Sequence, residues 1–544
     1  MLFNSQEFLF AFLPLTLLGF FLLGSQSRSL ALYWLTIASV FFYAWWRPVN
    51  VLIIAPSIAI NYVLARVLLR LVAGEQPRMG AARVVLALGI VFNVCFLGYF
   101  KYVNFLATVA HDLTGADFVF VEVVLPLGIS FITFQKIAFL VDVYGRRVQS
   151  FTLGSYALFV LFFPQLIAGP IVHYRELMPQ FDRAPCRFDT EGFAVGTTMF
   201  LLGLFKKAVM ADGLSAYVSP LFDAAAGGAP LSLPGAWIAA LGFTLQMYFD
   251  FSGYSDMALG LARMVGVRLP PNFDSPLKAT SIIDFWLRWH MTLTRFLTAY
   301  LYNPLVLALT RRRMARGKRA LIGRATTFGA FASLLAGPTI LTMLVSGVWH
   351  GAGYMFVVWG LLHGVYLTIN HAWRIFGARR FPRAAAVLAW RWPGWLLTFF
   401  AVVVAMVFFR AAHGGAAASI LQGMFGLHGI GLPQALFDPL SSIAARTGGW
   451  LHASTEMSAT DLIAALAWVL GLLAIALLLP NTLQVLSRFE PGLSMPRETD
   501  FQVAWFRRTL VWAPSLGWAA ALGGLAAFAV VRLGGRGEFL YWQF

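Results

Sequence analysis

Runs of apolar residues, broken by short polar or basic segments, recur from Glu7 to the end of the chain. A bilayer crossing takes roughly 20 apolar residues. On that measure the pattern predicts helices at Phe8 to Gly24, Leu30 to Trp46, Val49 to Val72 and Val84 to Val109. Arg28, Arg66, Arg70, Arg78 and Arg83 fall at alternate ends of these runs, and Glu7, His111, Asp112 and Asp117 at the others. Basic loops stay on the cytoplasmic side, so this count puts the N-terminus outside the cytoplasm. The first run has no basic leader and no small-residue cleavage site behind it, and is expected to be a retained span.

The next run, FVEVVLPLGISFITFQKIAFLVDVYGRR, is interrupted by Pro126, Gly128, Ser130, Thr133, Gln135 and Lys136. Such breaks are tolerated at membrane depth only against protein or a wet cavity, which predicts a kinked or re-entrant helix. Spans are expected at Phe151 to Ile171 and at Gly192 to Met210, the latter ending in the doublet Lys206 and Lys207.

Trp237 to Gly266 carries Asp250, Ser252, Ser255 and Asp256 inside a helical pattern. Carboxylates there must be paired or wet, with Arg263, Arg268, Arg288 and Arg295 as candidate partners. Ser281 to Leu307 reads as one amphipathic or partly buried helix near the interface, with Asp284 four residues ahead of Arg288 in the favourable order for an ion pair. Seven basic residues then fall within Arg311 to Arg324, a loop expected to be cytoplasmic.

Gly329 to Trp373 is long enough for two crossings. His350 lies near its middle between Gly347, Gly351 and Gly353, either in a hairpin turn or in a helix broken by glycines. After a basic stretch, spans follow at Trp395 to Phe409, Leu462 to Leu479 and Leu516 to Val531. Residues 411–459 are expected as an extramembrane loop within a single membrane domain spanning 1–544. The pattern amounts to an all-α polytopic membrane protein of about eleven crossings plus re-entrant or broken helices. No internal repeat of the transporter kind is visible.

Composition agrees with that class. Of 544 residues, 59% are hydrophobic and 12% charged, too little polar surface for a soluble protein of this size. The net charge of +17 sits between apolar runs, where it sets topology and meets anionic lipid headgroups, so nucleic acid is not an expected partner. Cys95 and Cys186 form no disulfide framework, and no cluster has metal-ligand spacing.

Candidate chemistry concentrates on two histidines preceded by tryptophan, His290 and His350. An imidazole in an apolar setting is expected to be neutral and able to accept a proton, as a general base on a hydroxyl must. Glycines beside His350 would let a substrate approach the backbone. The alternative is a core imidazole bonded to a carbonyl. His290 has as its alternative an interfacial histidine facing headgroups. His363 lies 13 residues beyond His350, on another face of a common helix, with a packing or polar-network role expected.

The runs PLGISFITFQKIAFLVDVY, FFPQLIAGPIVHYRELMPQF, LLGLFKKAVMADGLSAYV, YFDFSGYSDMALGLARMVG, DFWLRWHMTLTRFL and SGVWHGAGYMFVVWGLLHG resemble the membrane-bound O-acyltransferases. The likeness is to the bacterial branch that includes alginate O-acetyltransferase subunits and D-alanyl transfer proteins. It implies a tunnel through an inner-membrane bundle, with His350 catalytic and His290 as the second functional position. It further implies a cytoplasmic thioester donor, acetyl-CoA, with no permanently bound cofactor or metal, and acyl delivery to an extracytoplasmic polysaccharide. A periplasmic acetyltransferase of the serine-hydrolase type is the implied partner. Where the family pattern reads RDYLYIPLGG, this chain reads LTAYLYNPLVLALTRRR, so the resemblance does not carry donor recognition over to residues 298–313.

Trp349, Gly351, Gln135, Asp284 and Arg288 are expected to line or support the tunnel, and Asp250, Ser252 and Asp256 to brace a broken helix along it. Two other readings stand beside this one: D-alanyl transfer from a carrier protein, and a proton-coupled transporter using the histidines as a relay.

Overall fold

The computed structural model describes residues 1–115, 123–183, 186–320, 323, 326–493, 505, 509–533 and 540. Asp117, Arg324 and most of the charged loop before the last helix lie outside the described residues. Helices α1 (Phe8–Gln26), α2 (Arg28–Ala44), α3 (Val49–Val72) and α4 (Met79–Thr114) follow the apolar pattern closely. Gly115, in the left-handed region at φ 67°, ends α4 where only a residue without Cβ adopts that turn cheaply.

Helix α5 (Ile129–Tyr144) is regular throughout, so the expected kink inside it is absent. Among the described residues the break covers 123–128, with Gly128 at φ 65° as the cap. Thr133, Gln135 and Lys136 are accommodated in a straight helix because they face protein: all three are buried.

Phe151 to Ile171 is not a span. Helix α6 (Leu153–Leu161) is followed by a four-residue helix at Phe163–Leu166 and then by buried irregular chain. The Tyr174 hydroxyl donates to Ser155 Oγ at 2.9 Å, so the segment leaves where it entered. Pro164, Gly169 and Pro170 force the reversal. A Cβ on Gly169 would lie 2.4 Å from the Cα of Gln165. After α7 (Tyr174–Arg183), α8 runs from Thr190 to Ala226 as one 37-residue rod.

The centre of the bundle is α9 (Leu233–Met264), buried without interruption from Gly242 to Met264. It is a continuous helix, as the helical pattern around Asp250, Ser252 and Asp256 predicted. Its close partner is α8, and the seam is built on glycine. A Cβ on Gly196 would lie 2.6 Å from Gly260 O, and one on Gly203 2.5 Å from Gly253 O. Small residues spaced alike on both helices let the backbones touch, the usual route to tight packing where lipid removes the hydrophobic drive between helices.

The stretch expected as a single amphipathic helix is broken. It comprises α10 (Ile282–Trp286), a turn ending at His290, α11 (Met291–Leu297), a wide helical turn at Thr298–Tyr302, and α12 (Asn303–Ala315). Ser281 at its start meets Arg374, and Arg295 beyond the turn meets Glu176, both near the basic loops. The chain therefore dips into the bundle and returns, with His290 at the tip. Phe328–His350 holds α13 (Gly337–His350), which forms a hairpin with α14 (Tyr354–Ala372), the first of the two arrangements that the sequence left open.

Helix α15 (Arg391–Arg410) returns to the other face, where α16 (Gly414–Met424) and a parallel pair of strands, β1 (Ile430–Leu432) and β2 (Leu451–Ala453), cover the start of α9. Ser232 ties that start to Glu456. Residues 411–459 thus carry ordered structure. Helices α17 (Ala459–Leu478) and α18 (Leu516–Val531) complete the bundle. Among the described residues seven helices are long and apolar enough to cross a membrane; α2 and α18 are shorter apolar helices, and α9 is shielded inside the bundle.

Candidate active site

His350 is the last residue of α13, at the bend of the hairpin. The Lys101 ammonium, from α4, donates to the carbonyls of Trp349 (2.5 Å) and His350 (3.1 Å). A cation on the last carbonyls of a helix satisfies orphan acceptors and complements the negative end of the helix dipole, which pins the end of α13. Trp349 stacks on Phe134 at 5.1 Å and meets Phe131 edge-on at 5.4 Å.

The glycines here serve the protein rather than a substrate. A Cβ on Gly347 would lie 2.3 Å from Phe356 O, and one on Gly351 2.1 Å from the Phe356 ring. Gly351 has φ −156°, extended backbone open to any residue, so its requirement is steric. The expectation that these positions open the backbone to substrate is therefore corrected: they let α14 close on α13.

His290 stands at φ 42°, ψ 52°, a left-handed conformation that is uncommon for a residue with a side chain and is held by its surroundings. It is fully buried, which excludes the interfacial alternative. Its ring lies 6.3 Å from that of His350 and 4.8 Å from that of Phe251, the residue between Asp250 and Ser252. Sixty positions apart in the chain, the two histidines face one another through the tip of the dip and the bend of the hairpin.

Asn272, which the sequence reading did not single out, holds this geometry. Its side-chain oxygen lies 3.2 Å from His290 Nδ1 and accepts from Thr292 Oγ1 (2.5 Å) and Thr292 N (3.3 Å). Its own backbone carbonyl accepts from Met291 N. Asp284 and Arg288 pair at 2.9 Å as their spacing predicted, and the Arg288 carbonyl accepts from Asp274 N. They brace the loop carrying Asn272 and do not reach the histidines themselves.

The acidic residues of α9 are neutralised by lysine, not by the arginines expected. Lys207 lies 2.7 Å from Asp250 and 2.7 Å from Asp212, and Lys206 lies 2.6 Å from Asp256, which Thr482 also donates to. The doublet sits at the start of a π-turn in α8, Lys206–Ala211. Among the described residues, Asp250 is linked to the site through its neighbour Phe251. Ser252 Oγ and Gln135 Oε1 are buried without a hydrogen-bond partner among the described residues. Gln135 adjoins Phe134, the stacking partner of Trp349.

His363 belongs to a different helix from His350, so counting faces along one helix did not apply. It accepts from Trp286 Nε1 at 3.3 Å, and the Trp359 ring lies between it and His350, 4.8 and 4.9 Å from each. It is buried among aromatic rings with that one side-chain hydrogen bond, in keeping with the packing or polar-network role expected of it.

A cavity of about 720 Å³ ends on His350 and Trp349. Its walls include Lys101, Ser130, Phe131 and Ala168, and its outer rim the exposed Glu7, Trp45 and Trp46. The opening is thus on the face that carries the N-terminus. Toward the opposite face, Phe134, Phe296 and Tyr300 form a column with centroids 4.3 and 4.9 Å apart. The Tyr300 hydroxyl closes it against Asp142 (3.1 Å) and His173 (2.9 Å). His173 lies inside one of the runs that carried the family resemblance, but nothing local marks it, since its partners are 31 and 127 positions away.

The chain is similar to known proteins. Residues 84–322 match the MBOAT, membrane-bound O-acyltransferase, family. The peptidoglycan O-acetyltransferase of Helicobacter pylori is 40% identical over 461 residues, 79% of this chain and 81% of that protein. The probable alginate O-acetylase AlgI of Pseudomonas aeruginosa is 39% identical over 434 residues, 78% of this chain and 75% of its own. The teichoic acid D-alanyltransferase of Streptococcus thermophilus is more distant, 29% identical over 45% of this chain and 57% of its own.

Proposed function

This chain belongs to the membrane-bound O-acyltransferase family and is a multi-pass membrane enzyme; from that premise we propose that it acetylates an extracytoplasmic polysaccharide, using acetyl-CoA as donor. The carrying observation is His350 at the floor of a 720 Å³ cavity, with the buried His290 ring 6.3 Å from it. The cavity opens on the face opposite the basic loops. Basic loops are cytoplasmic, so on this reading the N-terminus and the cavity mouth are periplasmic and the membrane is the bacterial inner membrane. Relatives named for acetylating peptidoglycan and alginate support a polysaccharide acceptor.

His350 acts as general base. It takes the proton of the acceptor hydroxyl as the oxygen attacks the thioester carbonyl; the carbon–sulfur bond breaks, and the leaving thiolate recovers the proton from the imidazolium. Trp349 and the Lys101 cap hold the imidazole in place. The basic face, including exposed Arg147 and Arg175, supplies the cations that an anionic phosphorylated donor needs. A periplasmic acetyltransferase of the serine-hydrolase type receives the acetyl group or works beside this chain.

The test is turnover of radiolabelled acetyl-CoA by the protein in nanodiscs with a polysaccharide acceptor and candidate periplasmic partners. Thioester loss and label transfer should occur in the wild type and vanish in His350→Ala, with thermal unfolding unchanged. Full turnover in His350→Ala would remove that imidazole from the mechanism. D-alanyl transfer is the second reading, favoured by the match to the streptococcal enzyme. Turnover only with a D-alanyl carrier protein would select it.

A further inference from the structure

A second cavity, of about 540 Å³, lies between α1 and α8, and among the described residues it shares no lining residue with the one that ends on His350. Its volume falls in the range of small-molecule sites, about 300–1,000 Å³. Leu9, Leu13, Leu17 and Phe21, four positions apart, form its wall on α1, and Phe193, Phe200 and Leu204 form the wall on α8. Thr197 is the one polar side chain among its described lining residues. Helix α1 packs on α2, and α8 on α9, so the two walls belong to different pairs of helices with a gap between them. Phe10 and Leu18, 66% and 57% exposed, stand at its edge, so the groove opens sideways toward hydrocarbon.

The two ends of the groove differ. Near Leu9, Phe8 stacks on Phe200 at 6.2 Å and closes the gap. At the other end the rings of Phe21, Phe188 and Phe193 meet, 5.4 and 5.1 Å apart. Arg187 adjoins Phe188, and Arg28, just past the end of α1, hydrogen-bonds the neighbouring Cys186. Both arginines are exposed, and among the described residues neither takes part in an ion pair. Asp189 accepts from the first N–H groups of α8 and, with Glu191, faces Arg263. From Leu9 to Phe21 α1 rises roughly 18 Å at 1.5 Å per residue. One leaflet is about 15 Å deep, half of the hydrocarbon core. We propose that this groove binds an anionic phospholipid of the leaflet at the basic face, with one acyl chain between α1 and α8 and the headgroup phosphate at Arg28 and Arg187. The chain supplies the dispersion partners that the two walls do not give each other, and the guanidinium groups match the phosphate in charge and geometry. The bound lipid ties α1 and α2, which lead to Trp45 and Trp46 at the rim of the His350 cavity, to the centre of the bundle.

The experiment is native mass spectrometry of the full chain, delipidated in detergent and then given equal amounts of phosphatidylglycerol and phosphatidylcholine with the same acyl chains. The expected result is one retained lipid per chain, with phosphatidylglycerol favoured about 5-fold to 30-fold, since each arginine near an anionic headgroup is worth about fivefold. Arg28→Gln with Arg187→Gln should bring that preference to within about twofold of equality while a lipid is still retained. Leu13→Trp fills the groove and should displace lipid of either kind. Both arginines are exposed, so their replacement decides the matter even if Leu13→Trp does not fold. No retained lipid in the wild type, or equal retention of the two, overturns the proposal. So does an unchanged preference in the double arginine variant, or full retention in a folded Leu13→Trp. No outcome depends on acyl transfer, so the result is independent of the function proposed above.

Discussion

Replacing Gly351 by alanine separates two explanations of the glycines around His350. If they admit a substrate, an added methyl blocks the substrate and nothing in the protein relieves it. If they admit Phe356, shortening Phe356 should relieve the block. The added Cβ would lie 2.1, 2.3 and 2.6 Å from three atoms of the Phe356 ring. Carbon atoms rest at about 3.5–4.0 Å, so the ring must move by roughly 1–1.5 Å. It cannot do so alone, because it packs edge-on against Phe409 at 5.1 Å, and Phe409 lies 5.4 Å from the His350 ring. Overpacking of this kind costs about 1–3 kcal/mol, and misplacement of a catalytic group by about 1 Å costs on the order of 100-fold in rate. Gly351→Ala should therefore lower kcat by roughly 10-fold to 100-fold and lower the unfolding temperature. The extended backbone at φ −156° adds no penalty of its own. The assay is acetyl-CoA turnover with thermal unfolding, on Gly351→Ala, Phe356→Ala and the double variant. The double variant should recover most of the loss seen in Gly351→Ala. A double variant as slow as the sum of the two single losses would refute the packing account and return Gly351 to the substrate.

Two further outcomes follow from buried charge. Lys207→Met strips the cation from Asp250, whose side chain is 0% exposed, and from Asp212, and should cost about 3–5 kcal/mol in reversible unfolding in micelles, whereas adding Asp250→Asn should recover part of it, Asp212 still lacking its lysine; equal losses in the single and double variants would refute the pairing with Asp250. Lys101→Met uncaps the end of α13, removing two hydrogen bonds from a charged donor, each worth about 1.5–3 kcal/mol; kcat should fall with it, and an unchanged kcat and unfolding temperature would show that the cap does not position His350.

The helices that meet lipid were readable in the sequence because hydropathy is a local property. Val49–Val72 and Leu516–Val531 fall at the expected residues. Reading failed where a polar or apolar run of the right length does something other than cross. Phe151 to Ile171 is apolar enough to span, but Pro164, Gly169 and Pro170 turn it back, and only the bond from Tyr174 to Ser155 reveals the reversal. Asp250 and Asp256 stood inside a helical pattern without a visible partner, and the lysine doublet 43 to 50 positions earlier is what neutralises them. Arginine was the expected partner because charge alone is visible in a sequence, while which cation faces the carboxylate depends on the π-turn in α8.

The candidate site divides in the same way. His290 and His350 stood out from the sequence, since titratable groups in apolar runs carry a cost that calls for a reason. Asn272, Lys101 and the Asp142, His173 and Tyr300 cluster did not, because each is an ordinary polar residue until a distant segment folds against it. By itself the sequence determined the class of molecule, most of the spans and the two histidines, all of which follow from the cost of placing given side chains in lipid. Only the tertiary structure decided that the histidines face each other across 6.3 Å, that an amide oxygen orients one and a lysine caps the helix of the other. Those are relations between segments up to 249 positions apart, and no local pattern encodes a contact that exists only once the chain has closed around it.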